Sequence, residues 1–197
     1  MKRVITGLAL ALLALPQSAT AKGSAETVAL YGRALTFTLP ADMVRANDKD
    51  NGTNRLIEYV PRGETVANWT RLVTIQAYRG LGGGPATTSQ IARQAFYPAA
   101  CTVGPIYQDN GEMALGGGLA RTLILNGCAS LPPGAYPKAL AGAGEQDFIL
   151  IFRDSETIYT LNYAVRGKPF TGKAPPIALA TAEALIKNIF GNIRLEP

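Results

Sequence analysis

The pentapeptide Phe148-Ile149-Leu150-Ile151-Phe152 is apolar at every position. Successive residues of a strand point to opposite faces, so a strand of this composition has to be covered on both sides. Asp154-Ser155 follows it and leads into a second β-rich run, which makes Asp147 to Arg153 and Glu156 to Val165 the arms of a tight hairpin. The chain must therefore build a sheet with one layer above it and one below.

The remaining elements follow from periodicity. Val28 to Tyr31 and Leu35 to Leu39 read as an opening hairpin around Gly32-Arg33, closed by Pro40. Asn47 to Asn54 is polar throughout and reads as a loop turning at Asn51-Gly52, before a strand from Arg55 to Val60. Trp69 to Tyr78 alternates, with Val73, Ile75 and Ala77 on the drier face. Thr87 or Thr88 caps a helix that carries Ile91, Ala92, Ala95 and Phe96 and stops at Pro98. Val103 to Gln108 and Leu119 to Leu125 have strand length, and Ala129 to Gln146 is the longest irregular stretch. Near the end, Pro176 starts a helix of about four turns with Ala178, Ala182, Leu185, Ile186 and Ile189 on one stripe and Gly191 just beyond it. With one helix over each face, the predicted fold is α+β, a mainly antiparallel sheet sandwiched between helices.

The N-terminus sets the compartment. Lys2 and Arg3, an apolar run from Val4 to Leu15, and Ala19-Thr20-Ala21 make a secretory signal peptide over residues 1–21, too short in its apolar part to span a bilayer. Its loss leaves residues 22–197 as one domain, with 17 of the 19 Lys and Arg against 14 Asp and Glu, a net charge of +3. That charge is too small, without aromatic and basic interleaving, for nucleic acid, and no later segment predicts stable membrane insertion. A periplasmic or secreted location lets the only two cysteines, Cys101 and Cys128, form a disulfide.

Histidine is absent from all 197 residues. No Ser-His-Asp or Cys-His machinery can be assembled, the common zinc sites lose their ligand, and with both cysteines paired no thiolate chemistry is left. Gly80 to Gly84 ends at Pro85, and Gly116-Gly117-Gly118 is followed by neither Lys-Ser nor Lys-Thr, so neither makes a nucleotide-binding loop. No cofactor is predicted. Two carboxylate pairs, Asp48 with Asp50 and Glu145 with Asp147, are the candidates for acid–base hydrolysis of an envelope polymer. Trp69 with Tyr78 or Tyr59 offers a binding platform, and Arg166, Lys168 and Lys173 lie where a loop would meet the last helix and hold an anion.

The stretch Glu58 to Gln76, which contains Gly63-Glu64-Thr65-Val66-Ala67-Asn68-Trp69-Thr70 between two strands, resembles a G-E-T-x-x-N-W-T box of uncharacterised exported bacterial proteins. The order of elements is similar to that of the PsbP-like α-β-α sandwich. That resemblance implies a non-catalytic binding or assembly subunit and carries no catalytic residue onto this chain; with the basic cluster of Arg166, Lys168 and Lys173, the expected partner is an envelope protein or a small anionic ligand. The alternative is the carboxylate-dependent hydrolase.

Overall fold

A computed structural model describes residues 23–97, 101, 103–132, 142–170, 179–191 and 193–197. The signal segment, Lys173 and Pro176 lie outside the described residues. Strands β1 (Ser24–Leu30) and β2 (Arg33–Leu39) form the opening hairpin, and its two-residue turn places Tyr31 and Gly32 at φ 49° and 88°. Positive φ at both turn positions matches the right-handed twist of the arms, which is why glycine is needed here. Next come β3 (Met43–Asp50), β4 (Asn54–Pro61), β5 (Arg71–Arg79) and α1 (Thr88–Phe96). The second half holds β6 (Val103–Asp109), β7 (Met113–Gly116), β8 (Leu119–Ser130), β9 (Gly144–Arg153), β10 (Thr157–Gly167), α2 (Leu179–Phe190) and β11 (Arg194–Glu196).

Eight strands make one antiparallel sheet in the order β3-β4-β5-β10-β9-β8-β6, with β7 folded back onto β8. The other three make a small sheet, β1-β2-β11. The Phe148–Phe152 segment is central, and its alternation divides the core. Phe148, Leu150 and Phe152 face the small sheet, where they join Val28, Leu30, Leu35, Phe37 and Leu39. Ile149 and Ile151 face the other way and meet Ala92 of α1.

This arrangement corrects the predicted fold class. The protein is mainly β, not an α-β-α sandwich: the described residues contain eleven strands against helices of 9 and 12 residues. Over the Phe148 face the cover is chiefly the small sheet, with α2 adding Ile186 and Phe190. On the opposite face α1 buries only Thr88 and Ala92. An amphipathic hairpin reads the same whether it joins the main sheet or lies across it, so local periodicity could not assign β1 and β2 to a layer of their own.

Two smaller readings also change. Residues 47–50 are strand rather than loop, because β3 is an edge whose polar side chains are held by pairs within the strand and across to β4. Asp48 pairs with Arg45 at 2.9 Å and Arg55 at 3.2 Å, while Asn47 donates to Glu58 at 2.7 Å. Charged edges of this kind discourage pairing with other chains. The irregular stretch predicted from Ala129 is narrower, since β8 continues to Ser130 and β9 starts at Gly144. Gly127 permits that close pairing: a Cβ there would lie 2.6 Å from the Glu145 carbonyl oxygen.

The layers are tied by polar contacts as well as by burial. Arg33, at the start of β2, donates to Asp154 in the β9–β10 turn at 2.6 Å. The same carboxylate accepts from the Glu156 and Thr157 amides and from the Tyr159 hydroxyl. The Cys101–Cys128 disulfide, with Cα atoms 5.6 Å apart, fastens the segment after α1 to β8. Of the two threonines that could cap α1, Thr87 does so, in a reciprocal box with Gln90.

Candidate functional site

The Gly63–Thr70 box is a folding device for one aromatic ring. Glu64 accepts from the Thr70 amide at 2.6 Å and from its hydroxyl at 2.8 Å, while Thr65 and Asn68 exchange backbone hydrogen bonds at 3.1 and 3.0 Å. These contacts close the turn and lay Trp69 on Val60, Leu72 and Ala164, leaving it 6% exposed. The Arg166 guanidinium stacks on the indole with its carbon 3.6 Å from the ring centroid. Arg166 also donates to Glu145, so its charge is spent between an aromatic face and a carboxylate.

Beyond Glu145 on the same face lies Asp147, 7% exposed, which accepts from Asn162 Nδ2 at 3.2 Å. Burial, then the neighbouring Glu145 charge, pushes its pKa up to about 7, although Asn162 and Arg166 act in the other direction. Its register partner Asn126 has a buried Oδ1 without a hydrogen-bond partner, an acceptor suited to the protonated acid.

The residues singled out in the sequence do not make one site. Trp69 and Arg166 meet, but Tyr78 lies six residues from Leu72 along β5, about 20 Å at strand rise, among Ile91 and Phe96. Tyr59 is on the opposite face, buried at 1%. Lys168 is exposed after β10, and Lys173 lies outside the described residues. The two carboxylate pairs each stay together on one strand face but are engaged locally: Asp48 is held by Arg45 and Arg55 on the β3 edge, and Asp50 accepts from the Tyr31 hydroxyl at 2.8 Å. Among the described residues no three of His, Cys, Asp and Glu come together as metal ligands.

A concavity among the described residues lies elsewhere, between β8 and β9 on one side and α2 and β11 on the other. A groove of about 700 Å³ opens there, a volume in the range of small-molecule sites. Its floor is Leu119 and Leu123 of β8 with Leu150 and Phe152 of β9, and Ile186 and Leu195 form its sides. The β7 strand makes a lip: Leu115 lines the groove and is 44% exposed, next to Met113 at 52%. Arg121, Lys187 and Arg194 approach the rim from β8, α2 and β11. Arg121 reaches Glu183 at 3.3 Å, and Arg194 reaches Glu196 at 3.6 Å.

None of these groove residues was singled out for function in the sequence, where Leu150, Phe152 and Ile186 read as core. The floor reads as ordinary strand core, while β7 and β11 are only four and three residues long. The available signal was the alternation Ile193, Leu195 after Gly191, together with Met113 and Leu115 ahead of a glycine turn.

No known protein family matches this chain, and no curated protein matches its sequence. Whatever the groove does has to be argued from its own chemistry.

Proposed function

We propose that this protein is an exported, non-catalytic binding module whose ligand lies in the groove between β8, β9, α2 and β11. The observation that carries the reading is the apolar lining of the groove: Leu119, Leu123, Leu150 and Phe152 border a concavity of about 700 Å³, the last three packed into the core and only 2–5% exposed. Water over such a floor gains little from the surface, so displacing it with an apolar ligand is favourable. The secretory pattern of residues 1–21 and the Cys101–Cys128 disulfide support action outside the cytoplasm. No helix among the described residues is long and apolar enough to cross a membrane.

Binding is favoured over hydrolysis by the state of the carboxylates. A hydrolase of envelope polymers needs two carboxyl groups open to its substrate. Asp147 is buried beside Asn162, and Glu145 is engaged by Arg166.

The test is titration of the folded protein with N-phenyl-1-naphthylamine, an uncharged apolar probe that fluoresces on leaving water. A single saturable site is expected, weakened in Leu119→Trp, which fills the floor, and in Leu115→Glu, which places a charge at the lip. Circular dichroism confirms that each variant is folded. Failure of the wild type to bind, or binding unchanged in both folded variants, would refute the assignment.

A further inference from the structure

We propose that the groove takes a single-chain anionic amphiphile: an alkyl tail along the floor and a carboxylate or phosphate head at the rim. This rests on reading the groove as the binding site and specifies what it holds. Of the charged side chains that line the groove, Arg121 rises from β8 between Leu119 and Leu123, and Glu183, Lys187, Arg194 and Glu196 face it from α2 and β11, while the rest of the floor is leucine and phenylalanine. A sugar or a peptide would find only Arg121 between Leu119 and Leu123 to satisfy its buried hydroxyl or amide groups, and each unmet group carries a penalty. An alkyl chain has no such groups. The lip formed by Met113 and Leu115 extends the apolar surface out past Arg121, whose guanidinium lies against Met113.

The rim then selects the head. Three cations on three different elements converge there against two carboxylates, a surplus of one positive charge. Among the described residues Lys187 has no ion pair. The carboxylates that do pair, Glu183 and Glu196, are 55% and 54% exposed and stand 3.3 and 3.6 Å from their arginines. Pairs this open to water are weak, so Arg121 and Arg194 can exchange them for a ligand headgroup at little cost. A head that accepts hydrogen bonds from two guanidinium groups is a carboxylate or a phosphate.

The experiment is displacement of N-phenyl-1-naphthylamine by octanoate, dodecanoate, dodecan-1-ol and a dodecanoyl lysophosphatidylglycerol, each kept monomeric. Affinity should rise by about fourfold for each methylene between octanoate and dodecanoate while the chain stays in the groove. Dodecanoate or the lysolipid should bind roughly three- to tenfold more tightly than the uncharged alcohol, and whichever binds better identifies the free acid or the lipid head as the source. The double variant Lys187→Glu, Arg194→Glu changes exposed side chains only and should bring both anions down to the level of the alcohol, whose own affinity stays fixed. Equal binding of alcohol and anions, or anion binding indifferent to the double variant, would overturn the proposal while leaving the groove a binding site. Probe binding that none of the four ligands displaces would overturn it in the same way, whereas absence of probe binding would remove the underlying reading as well.

Discussion

Asp147→Asn should make the protein more stable at pH 8 and leave it unchanged near pH 4. The wild-type carboxyl is 7% exposed, accepts one hydrogen bond from Asn162, and is pushed up to about 7 by burial and by Glu145. In the unfolded chain the same group titrates near 3.8. Between these two values the folded state binds the proton and the unfolded state does not, so stability falls as pH rises through that window and levels off above it. At about 1.4 kcal/mol per pH unit, the gap corresponds to a loss on the order of 4 kcal/mol between pH 4 and pH 8. Asparagine accepts from Asn162 as the acid does, offers a donor towards Asn126 Oδ1, and cannot ionise. The measurement is urea denaturation followed by far-ultraviolet circular dichroism at half-unit steps from pH 4.5 to 8.5. The absence of histidine leaves no imidazole to titrate in this window. A wild-type profile that stays flat from pH 5 to 8, or a variant that keeps the wild-type slope, would refute the reasoning.

The remaining predictions concern the ties between layers. Replacing Cys101 and Cys128 together by serine should lower stability by about 3 to 4 kcal/mol in the chain-entropy account; an unchanged urea midpoint would show that the disulfide constrains little. Thr87→Ala removes the reciprocal cap of α1 and should cost about 1 kcal/mol, read as a lower Tm. Asp154→Asn should destabilise at neutral pH, with the difference shrinking in acid. Partial burial opposes ionisation of Asp154, but Arg33, the Glu156 and Thr157 amides and Tyr159 hold its pKa below the usual aspartate range. Its contribution is therefore present above about pH 4 and lost as pH falls through the lowered value; a gap between wild type and variant that persists undiminished to pH 2 would contradict this.

Local chemistry was legible wherever neighbours in sequence are also neighbours in space. The Asp154-Ser155 hairpin, the start of α1 at one of two threonines and the Val73, Ile75, Ala77 face of β5 each depend on residues a few positions apart, and each lies where local pattern put it. Cys101 and Cys128 were identifiable because no other cysteines compete for them. The Gly63–Thr70 box announced itself as a motif, but its role in setting Trp69 under Arg166 depends on a strand nearly 100 residues later.

The sequence by itself determined the central apolar strand, the need to cover both of its faces, the cross-link and the exclusion of imidazole chemistry. Only the tertiary structure decided what does the covering and what is left open. Hydrophobic alternation is a one-dimensional property that states which side chains must leave water, and any apolar surface of suitable shape can receive them. A hairpin and a helix satisfy that demand equally well, so the choice falls to packing between distant segments. The groove arises from the same choice: it lies where α2 and β11 meet β8 and β9, and no local pattern records how closely two distant segments will pack.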